Sequence, residues 1–337
     1  MKEKLIEVKG LKTEFTIEGV PRRIIDDISF EIYRGEVLGV VGESGSGKSV
    51  TAKSILRLIP SPPGEIVGGE ILFNGKDILK MDLDNLKKIR GNAISMIFQE
   101  PMSSLNPVFT CGDQIKEGVR LHQNMDNRAA RQKAIDLLKM VGIPMPEQRI
   151  DSYPHELSGG MRQRIMIAMA LSCSPQLLIA DEPTTALDPT IQAQILDLIR
   201  KVQKEIGMSV MYITHDLGVV AETCDRVMVM YAGQIVEKAD VAELFTKPGH
   251  PYTQGLLKAI PRLNTKRERL YVIKGMVPHF ADMPVGCSFH PRCPYADDQC
   301  VEQKPTLSAI KEGHLAACWK IRETADLEGK GGLIDGI

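Results

Sequence analysis

The sequence predicts an α/β protein, and three observations carry that reading. Short apolar runs at Val37–Val41, 177–180 and 210–214 alternate with helix-forming stretches, the order of strands joined by crossover helices. A glycine-rich loop, Gly42 to Ser49, sits between one such run and the helix-forming residues after it. The apolar run at 177–180 ends directly in Asp181-Glu182, as a buried parallel strand does when it delivers carboxylates to a site at its C-terminal end.

In chain order, residues 5–9 and 28–33 read as strands, separated by a turn-rich stretch with Gly19 and Pro21. Residues 50–59 read as a helix that stops before Pro60. Strands follow at 71–75 and 94–98, and from about 107 to 170 the pattern is mostly helical. A strand at 177–180, a helix at 191–205 and a strand at 210–214 come next. Residues 227–230 and 234–237 read as a hairpin around Ala232-Gly233. Beyond Pro248, proline, glycine and cysteine thicken and helical periodicity weakens, which places a domain boundary near residue 255. No internal repeat is visible.

Composition sets limits. The 337 residues are 43% hydrophobic and 25% charged, which is globular and not disordered. A formal net charge of −1 argues against a general nucleic-acid binder. No apolar run approaches a membrane span, and the start, MKEKLIEVKG, lacks a signal-peptide core. The expectation is a soluble intracellular protein that meets a membrane only through partners. The seven cysteines are an odd number and not a disulfide framework. Cys111, Cys173 and Cys224 read as small buried hydrophobes.

Gly42 to Ser49 matches G-x-x-x-x-G-K-[ST]. Its glycines let backbone N–H groups curl around phosphate oxygens, and the helix that follows adds its positive end. Lys48 supplies a point charge to the β- and γ-phosphates and Ser49 a hydroxyl to Mg²⁺. The nucleotide-binding run comprises Gly42, Ser44, Gly45, Ser46, Gly47, Lys48, Ser49 and Val50. Asp181 can hold Mg²⁺ through a water, and Glu182 is the natural general base for a hydrolytic water. Ser158, in Leu157-Ser158-Gly159-Gly160-Met161-Arg162-Gln163, looks like a helix N-cap, and the two glycines let backbone amides meet a phosphate. Standing alone, that segment is an ordinary capped helix.

LSGG before an LLIADE strand, behind the glycine loop, resembles the ABC-transporter ATPase family. The resemblance implies ATP and Mg²⁺ as ligands and a two-subunit ATP sandwich. In such a sandwich Ser158, Gly159 and Gly160 of one subunit cover the γ-phosphate held by the other. It implies that Gln99 touches Mg²⁺ and the water and senses the membrane partner. Ala186-Leu187-Asp188 would contact the other subunit, and His215 would contact the γ-phosphate and position Glu182. Phe15, the first aromatic, is the candidate to stack on adenine, and a core role suits it equally.

Three further stretches resemble the dipeptide/oligopeptide importer ATPases. They are Gln99-Glu100-Pro101-Met102-Ser103-Ser104-Leu105-Asn106-Pro107, then His250-Pro251-Tyr252-Thr253-Gln254-Gly255-Leu256-Leu257, then the cysteine-bearing tail. The resemblance implies a P-loop NTPase with a RecA-like core, an antiparallel β subdomain and a helical subdomain near 104–170. Residues 1–255 would form the ATPase domain and 256–337 a small irregular cysteine-rich domain. The partners implied are a second homologous ATPase, two membrane permease subunits and, indirectly, an extracytoplasmic peptide-binding protein. No nucleic acid is implied, and the location is peripheral, on the cytoplasmic face of the membrane. Rival readings are a nickel importer ATPase of the same branch, a soluble ABC ATPase of repair or translation, and a metal-dependent redox module with an accessory ATPase.

Cys287, Cys293, Cys300 and Cys318 are spaced C-x₅-C-x₆-C-x₁₇-C. Four converging thiolates suit zinc or an iron–sulfur cluster. The stretch lacks the short knuckles of structural zinc sites, and its spacing is not a common ferredoxin one either. Resemblance to the peptide-importer branch, some of whose tails carry a [4Fe–4S] cluster, favours that group over Zn²⁺. Pro291, Pro294 and Gly286 favour a loop wrapped around a centre.

Overall fold

The computed structural model describes residues 2–99, 104–185, 187–260 and 271–321. Glu100 to Ser103 of the importer-like run and Ala186 of the subunit-contact loop lie outside them.

The chain opens with strands β1 (Lys4–Ile17) and β2 (Val20–Tyr33). These are far longer than the sequence suggested. The stretch around Gly19 is a tight reversal, with Glu18 at φ 51° and Gly19 at φ 79°. Pro21 fits within β2 because β2 is an edge strand of a sheet ordered β2-β1-β4-β5, where a missing N–H breaks no ladder. Strand β3 (Val37–Val41) is a nearly continuous buried run, and helix α1 (Lys48–Ile55) follows the glycine loop. That helix ends earlier than Pro60 required. Arg57 turns into the left-handed region at φ 49°, and the Leu58 N–H closes onto the Lys53 carbonyl at 2.8 Å.

Strands β4 (Gly64–Phe73) and β5 (Lys76–Asp77), helix α2 (Leu83–Ile89) and strand β6 (Ile94–Ile97) come next. The expected helical stretch contains α3 (Cys111–Gln123), α4 (Asn127–Met140), α5 (Pro146–Arg149) and α6 (Gly159–Leu171). Thr110 and Asp126 cap α3 and α4 by accepting from the Asp113 and Ala129 N–H groups. Then come β7 (Leu177–Asp181), α7 (Pro189–Ile206), β8 (Ser209–Thr214) and α8 (Leu217–Thr223). The hairpin β9 (Arg226–Tyr231) and β10 (Gln234–Asp240) leads to α9 (Val241–Thr246) and α10 (Pro251–Lys258). The tail contributes α11 (Asp298–Glu302), β11 (Ser308–Lys311) and β12 (His314–Ala316).

The chain divides into two compact units. One gathers Met1–Leu5, Ile32–Glu36 and Asp77–Ile213. In it β6, β7 and β8 pair in parallel, Ile94 with Leu177 and Leu177 with Ser209. The fully buried β7 and the apolar faces of α3, α4 and α6 supply its core. The other gathers Ile6–Glu31, Val37–Lys76 and Thr214–Ile337. Its strands run β11-β12-β10-β9-β3, with β3 parallel to β9 and the rest antiparallel. Its core centres on Val229, Tyr231, Leu244, Tyr252 and Phe289.

The tail is therefore more than a loop around a centre: its last two strands extend a sheet. One buried carboxylate ties this together. Glu237 on β10 is fully buried and accepts from the Gly249 and His250 N–H groups at 2.6 and 2.9 Å. His314 on β12 stands 2.7 Å from the same carboxylate. His250 in turn caps α10, its Nδ1 accepting the Tyr252 N–H at 3.0 Å, with Pro251 at the first helical position.

Burial pushes the His250 imidazole down to about 4, against the weaker opposing pull of Glu237. The unfolded chain then binds one more proton than the folded chain between that value and the ordinary histidine value near 6.5. Stability from this group is whole above pH 6.5 and falls as pH drops toward 4, by on the order of 3 kcal/mol in all. His250→Asn keeps a capping acceptor and removes the titration. Denaturant melts at pH 7 and pH 5 should show a smaller loss in this variant than in the wild type.

Candidate functional site

The phosphate loop belongs to the second unit and grows directly from the end of β3. Gly42 sits at φ 154°, and a Cβ there would run into the Met230 carbonyl oxygen on β9. Gly47 sits at φ 98°, where a Cβ would lie 2.6 Å from Ile25 Cδ1. Glycine is therefore required at both positions. Ser44 and Gly45 are exposed at the tip, whereas Ser46 is buried. Ser49 and Val50 are half-buried in the first turn of α1. Lys48 is buried and folds back over the loop. Its Nζ donates to the carbonyls of Gly42 at 2.7 Å and Glu43 at 3.0 Å. An ammonium held this way inside a cradle of backbone is poised for an anion.

Phe15 lies on β1 opposite Gly64, half-buried, with its ring edge 3.0 Å from where a Gly64 Cβ would stand. The ring covers a glycine on the neighbouring strand. His215 is exposed just after β8, beside Asp216, which caps α8.

The carboxylates belong to the first unit. Asp181 is buried at the end of β7. Glu182 follows at φ 47°, a strained conformation for a residue with a Cβ, and its N–H donates to the Ile213 carbonyl at 3.0 Å. That strain turns the carboxylate out of the strand. Gln99, just past β6, donates from Nε2 to Glu182 Oε2 at 3.3 Å, and Thr185 Oγ1 donates to the same oxygen at 2.9 Å. Gln99 and Glu182 are 83 residues apart and are brought together because β6 and β7 are parallel neighbours.

Ser158 caps α6, its Oγ accepting the Met161 N–H at 3.4 Å. Gly159 is open on its Cα side, while a Cβ on Gly160 would press within 3.2 Å of Ile191 on α7. Two neighbours that sequence reasoning passed over hold this turn. Arg162 Nε donates to the Pro154 and Leu157 carbonyls at 2.8 and 3.0 Å, and buried Gln163 donates to the Pro183 carbonyl. Gln163 thus links the Ser158 turn to the residue after Glu182. No sequence pattern marked it, because a glutamine within an exposed-looking helix start carries no periodic signal.

Cys287, Cys293, Cys300 and Cys318 line one small apolar cavity with His250, Phe289 and Trp319. Burial raises all four thiols, Cys293 to about 11 and Cys318 to about 12. In Cys287, Cys293 and Cys318 the neighbouring thiols add to it. Among the described residues, no three His, Cys, Asp or Glu side chains stand where they could share one metal ion. The four cysteines share one cavity wall; no sequence pattern assigned a role to Tyr252, Arg292 and Glu43, which link this region to the 42–49 loop.

The fold is that of an ATP-binding cassette. A family model described as "ABC transporter" matches residues 25–185, and one described as "Oligopeptide/dipeptide transporter, C-terminal region" matches 236–300. The chain is 53% identical over 324 residues to the probable peptide ABC transporter ATP-binding protein y4tR of Sinorhizobium fredii, covering 96% of this chain and 97% of that one. It is 52% identical to the oligopeptide transport ATP-binding protein AppD of Bacillus subtilis, covering 95% and 97%. It is 49% identical to the dipeptide transport ATP-binding protein DppD of Escherichia coli, covering 93% and 96%. Among solved structures, the dimeric ATP-binding cassette MJ0796 bound to ADP and Pi aligns with a TM-score of 0.63 at 27% identity, over 70% of this chain and 98% of that one. This chain belongs to the ATP-binding subunits of ABC transporters, in the oligopeptide/dipeptide branch. Among the described residues no helix is long and apolar enough to cross a membrane.

Glu182→Gln leaves the phosphate cradle intact, so ATP binding should persist while hydrolysis falls by about 10² to 10⁴. Lys48→Ala should instead weaken nucleotide binding itself. Nucleotide titration and phosphate release on the two variants separate these effects, and wild-type turnover by Glu182→Gln would refute the base assignment.

Proposed function

We infer that this chain is the ATP-hydrolysing subunit that powers peptide import through a membrane ABC transporter. The observation that carries the reading is similarity of about half the residues, over nearly the whole chain, to ATP-binding proteins named for peptide transport. The C-terminal family match extends that similarity beyond the ATPase region.

In this reading the amides of the 42–49 loop and the Lys48 ammonium bind the phosphates of ATP, and Phe15 stacks on the adenine. Ser49, Asp181 and Gln99 would hold Mg²⁺, which neutralises charge on the transferring phosphate when bound. A hard oxygen donor set suits that ion. Glu182 takes the proton of the attacking water, and Gln99 and Thr185, already bonded to its carboxylate, hold it in place. His215 would contact the γ-phosphate. The Ser158–Gly160 turn presents a capped helix N-terminus to the ATP held by a second, homologous ATPase subunit. ATP then shifts the pair toward its closed form because the closed form binds it better, and hydrolysis reopens it. Two permease subunits would take up that motion at the cytoplasmic face of the membrane, and an extracytoplasmic peptide-binding protein would deliver cargo. Residues 1–255 supply the ATPase and 256–337 a tail domain.

The four tail thiols line one small apolar cavity, and the group we propose for them is a [4Fe–4S] cluster, with Zn²⁺ the alternative. Thiols raised by burial need a cationic centre to ionise. Such a cluster would act as a structural cross-link.

Tagged protein purified from its native cell should bring down a second ATPase and permease subunits, with peptide on the associated receptor. Ser158→Arg should lower turnover of that complex with little loss of ATP affinity in the isolated chain. Full activity of a strictly monomeric preparation, independent of concentration, would contradict the sandwich. Protein purified without oxygen should be brown, with about four irons and four sulfides per chain, and Cys293→Ser should bleach it. Colourless protein with one zinc per chain would overturn the cluster.

A further inference from the structure

The phosphate loop carries a carboxylate that opposes its own ligand. Glu43 is the second residue of the loop, and a negative charge beside bound phosphates would repel them. The C-terminal segment deals with that carboxylate. Arg292 grips it with both ends of its guanidinium, Nη1 to Oε2 at 2.6 Å and Nη2 to Oε1 at 3.0 Å. This is the planar two-bond geometry that arginine forms and lysine cannot. The Arg292 side chain is only 4% exposed. Its Nε donates to the Lys274 carbonyl at 3.0 Å, and its guanidinium lies over the rings of Tyr231 and Phe289, 5.7 and 5.9 Å from their centroids. The arginine is thus fixed before it meets the loop. A second contact reaches the same residue. The Glu43 N–H donates to Tyr252 Oη at 2.8 Å, and Tyr252 is fully buried on α10. The Glu43 carbonyl receives Lys48 Nζ at 3.0 Å. Each polar group of Glu43 thus has a partner: amide to Tyr252, carboxylate to Arg292, carbonyl to Lys48 Nζ and the Ser46 N–H.

We propose that Arg292 and Tyr252 are positioning residues for nucleotide binding. Arg292 draws the Glu43 carboxylate away from the phosphates and cancels its charge, and Tyr252 fixes the loop backbone from which Lys48 is aimed. The proposal rests on the reading of residues 42–49 as the nucleotide site. It assigns the tail segment a part in ATP affinity, and it gives a physical role to the 250–252 run, which begins with a cap and ends on the loop. Burial and the neighbouring Glu43 carboxylate both favour the protonated phenol of Tyr252, so its hydroxyl stays neutral at working pH.

Equilibrium binding of Mg-ATP to the full chain tests this. Arg292→Met should raise the dissociation constant about tenfold, because one uncancelled like charge and a freed loop both reduce the fraction of chains ready to bind. Arg292→Lys should fall in between. In the double variant Arg292→Met/Glu43→Gln, loss of the opposing charge should restore affinity to within about twofold of the wild type. A purely structural role for Arg292 would not give that rescue. In the assembled transporter the KM for ATP should rise with kcat nearly unchanged. Unchanged affinity in folded Arg292→Met, or a loss that Glu43→Gln does not repair, would overturn the proposal. Should Arg292→Met fail to fold, Tyr252→Phe removes one hydroxyl and should still weaken ATP several-fold; unchanged affinity there contradicts it equally. Wild-type protein that binds no ATP in a Lys48-dependent way would refute the nucleotide reading instead.

Discussion

The constraint on which the rest of the nucleotide site depends is the absence of side-chain bulk at Gly42. The backbone leaves β3 there and passes against the Met230 carbonyl on β9, with Ser46 Oγ 2.8 Å from where a Cβ would be. A side chain at Gly42 would push the loop off this path and with it the start of α1 at Lys48. The close approach is possible because β3 and β9 are paired in parallel, Val41 beside Val229, so that the loop emerges over its neighbour's end. Packing of two buried apolar strands thus sets the position of a polar cradle. The same logic recurs in the first unit. There the buried run of β7 carries Asp181 to its end, and the strained turn at Glu182 points the next carboxylate outward.

Much of this was legible in the sequence, and the reasons are local. The glycine loop, the apolar strand ending in Asp181-Glu182 and the Ser158 cap are short patterns whose chemistry depends on neighbours in the chain. The alternation of strands and helices from Val37 to Asp240 was legible for the same reason. What was missed depended on contacts between distant residues. Two 14-residue strands at the N-terminus read as short ones, because charged residues on one exposed face masked their period. The sheet-forming ends of the tail, β11 and β12, are four and three residues long, too short for any periodicity. Gln163, Arg292 and Tyr252 act through side-chain contacts with the backbone or with a distant carboxylate, and no spacing rule encodes those.

The tail shows how a chain region with weak periodicity still acquires order. It borrows the edge of β10 through β12 and sets Phe289 against Tyr231 and Tyr252. Its His314 joins the Gly249 and His250 amides on one fully buried carboxylate, Glu237. A buried carboxylate with fewer partners would be costly. The four cysteines surround a cavity next to that arrangement, with His250 lining it. Order in the tail and order around the phosphate loop are therefore properties of one unit, joined at Glu43.

Backbone shape at Gly42 is what would create the nucleotide site. Calorimetric titration of Mg-ATP into the full chain and into its Gly42→Ala variant, with folding of both checked by circular dichroism, tests that claim most directly. The account predicts one saturable site in the wild type and its loss, or a weakening of at least tenfold, in a folded Gly42→Ala chain. Undiminished ATP binding by folded Gly42→Ala would contradict it.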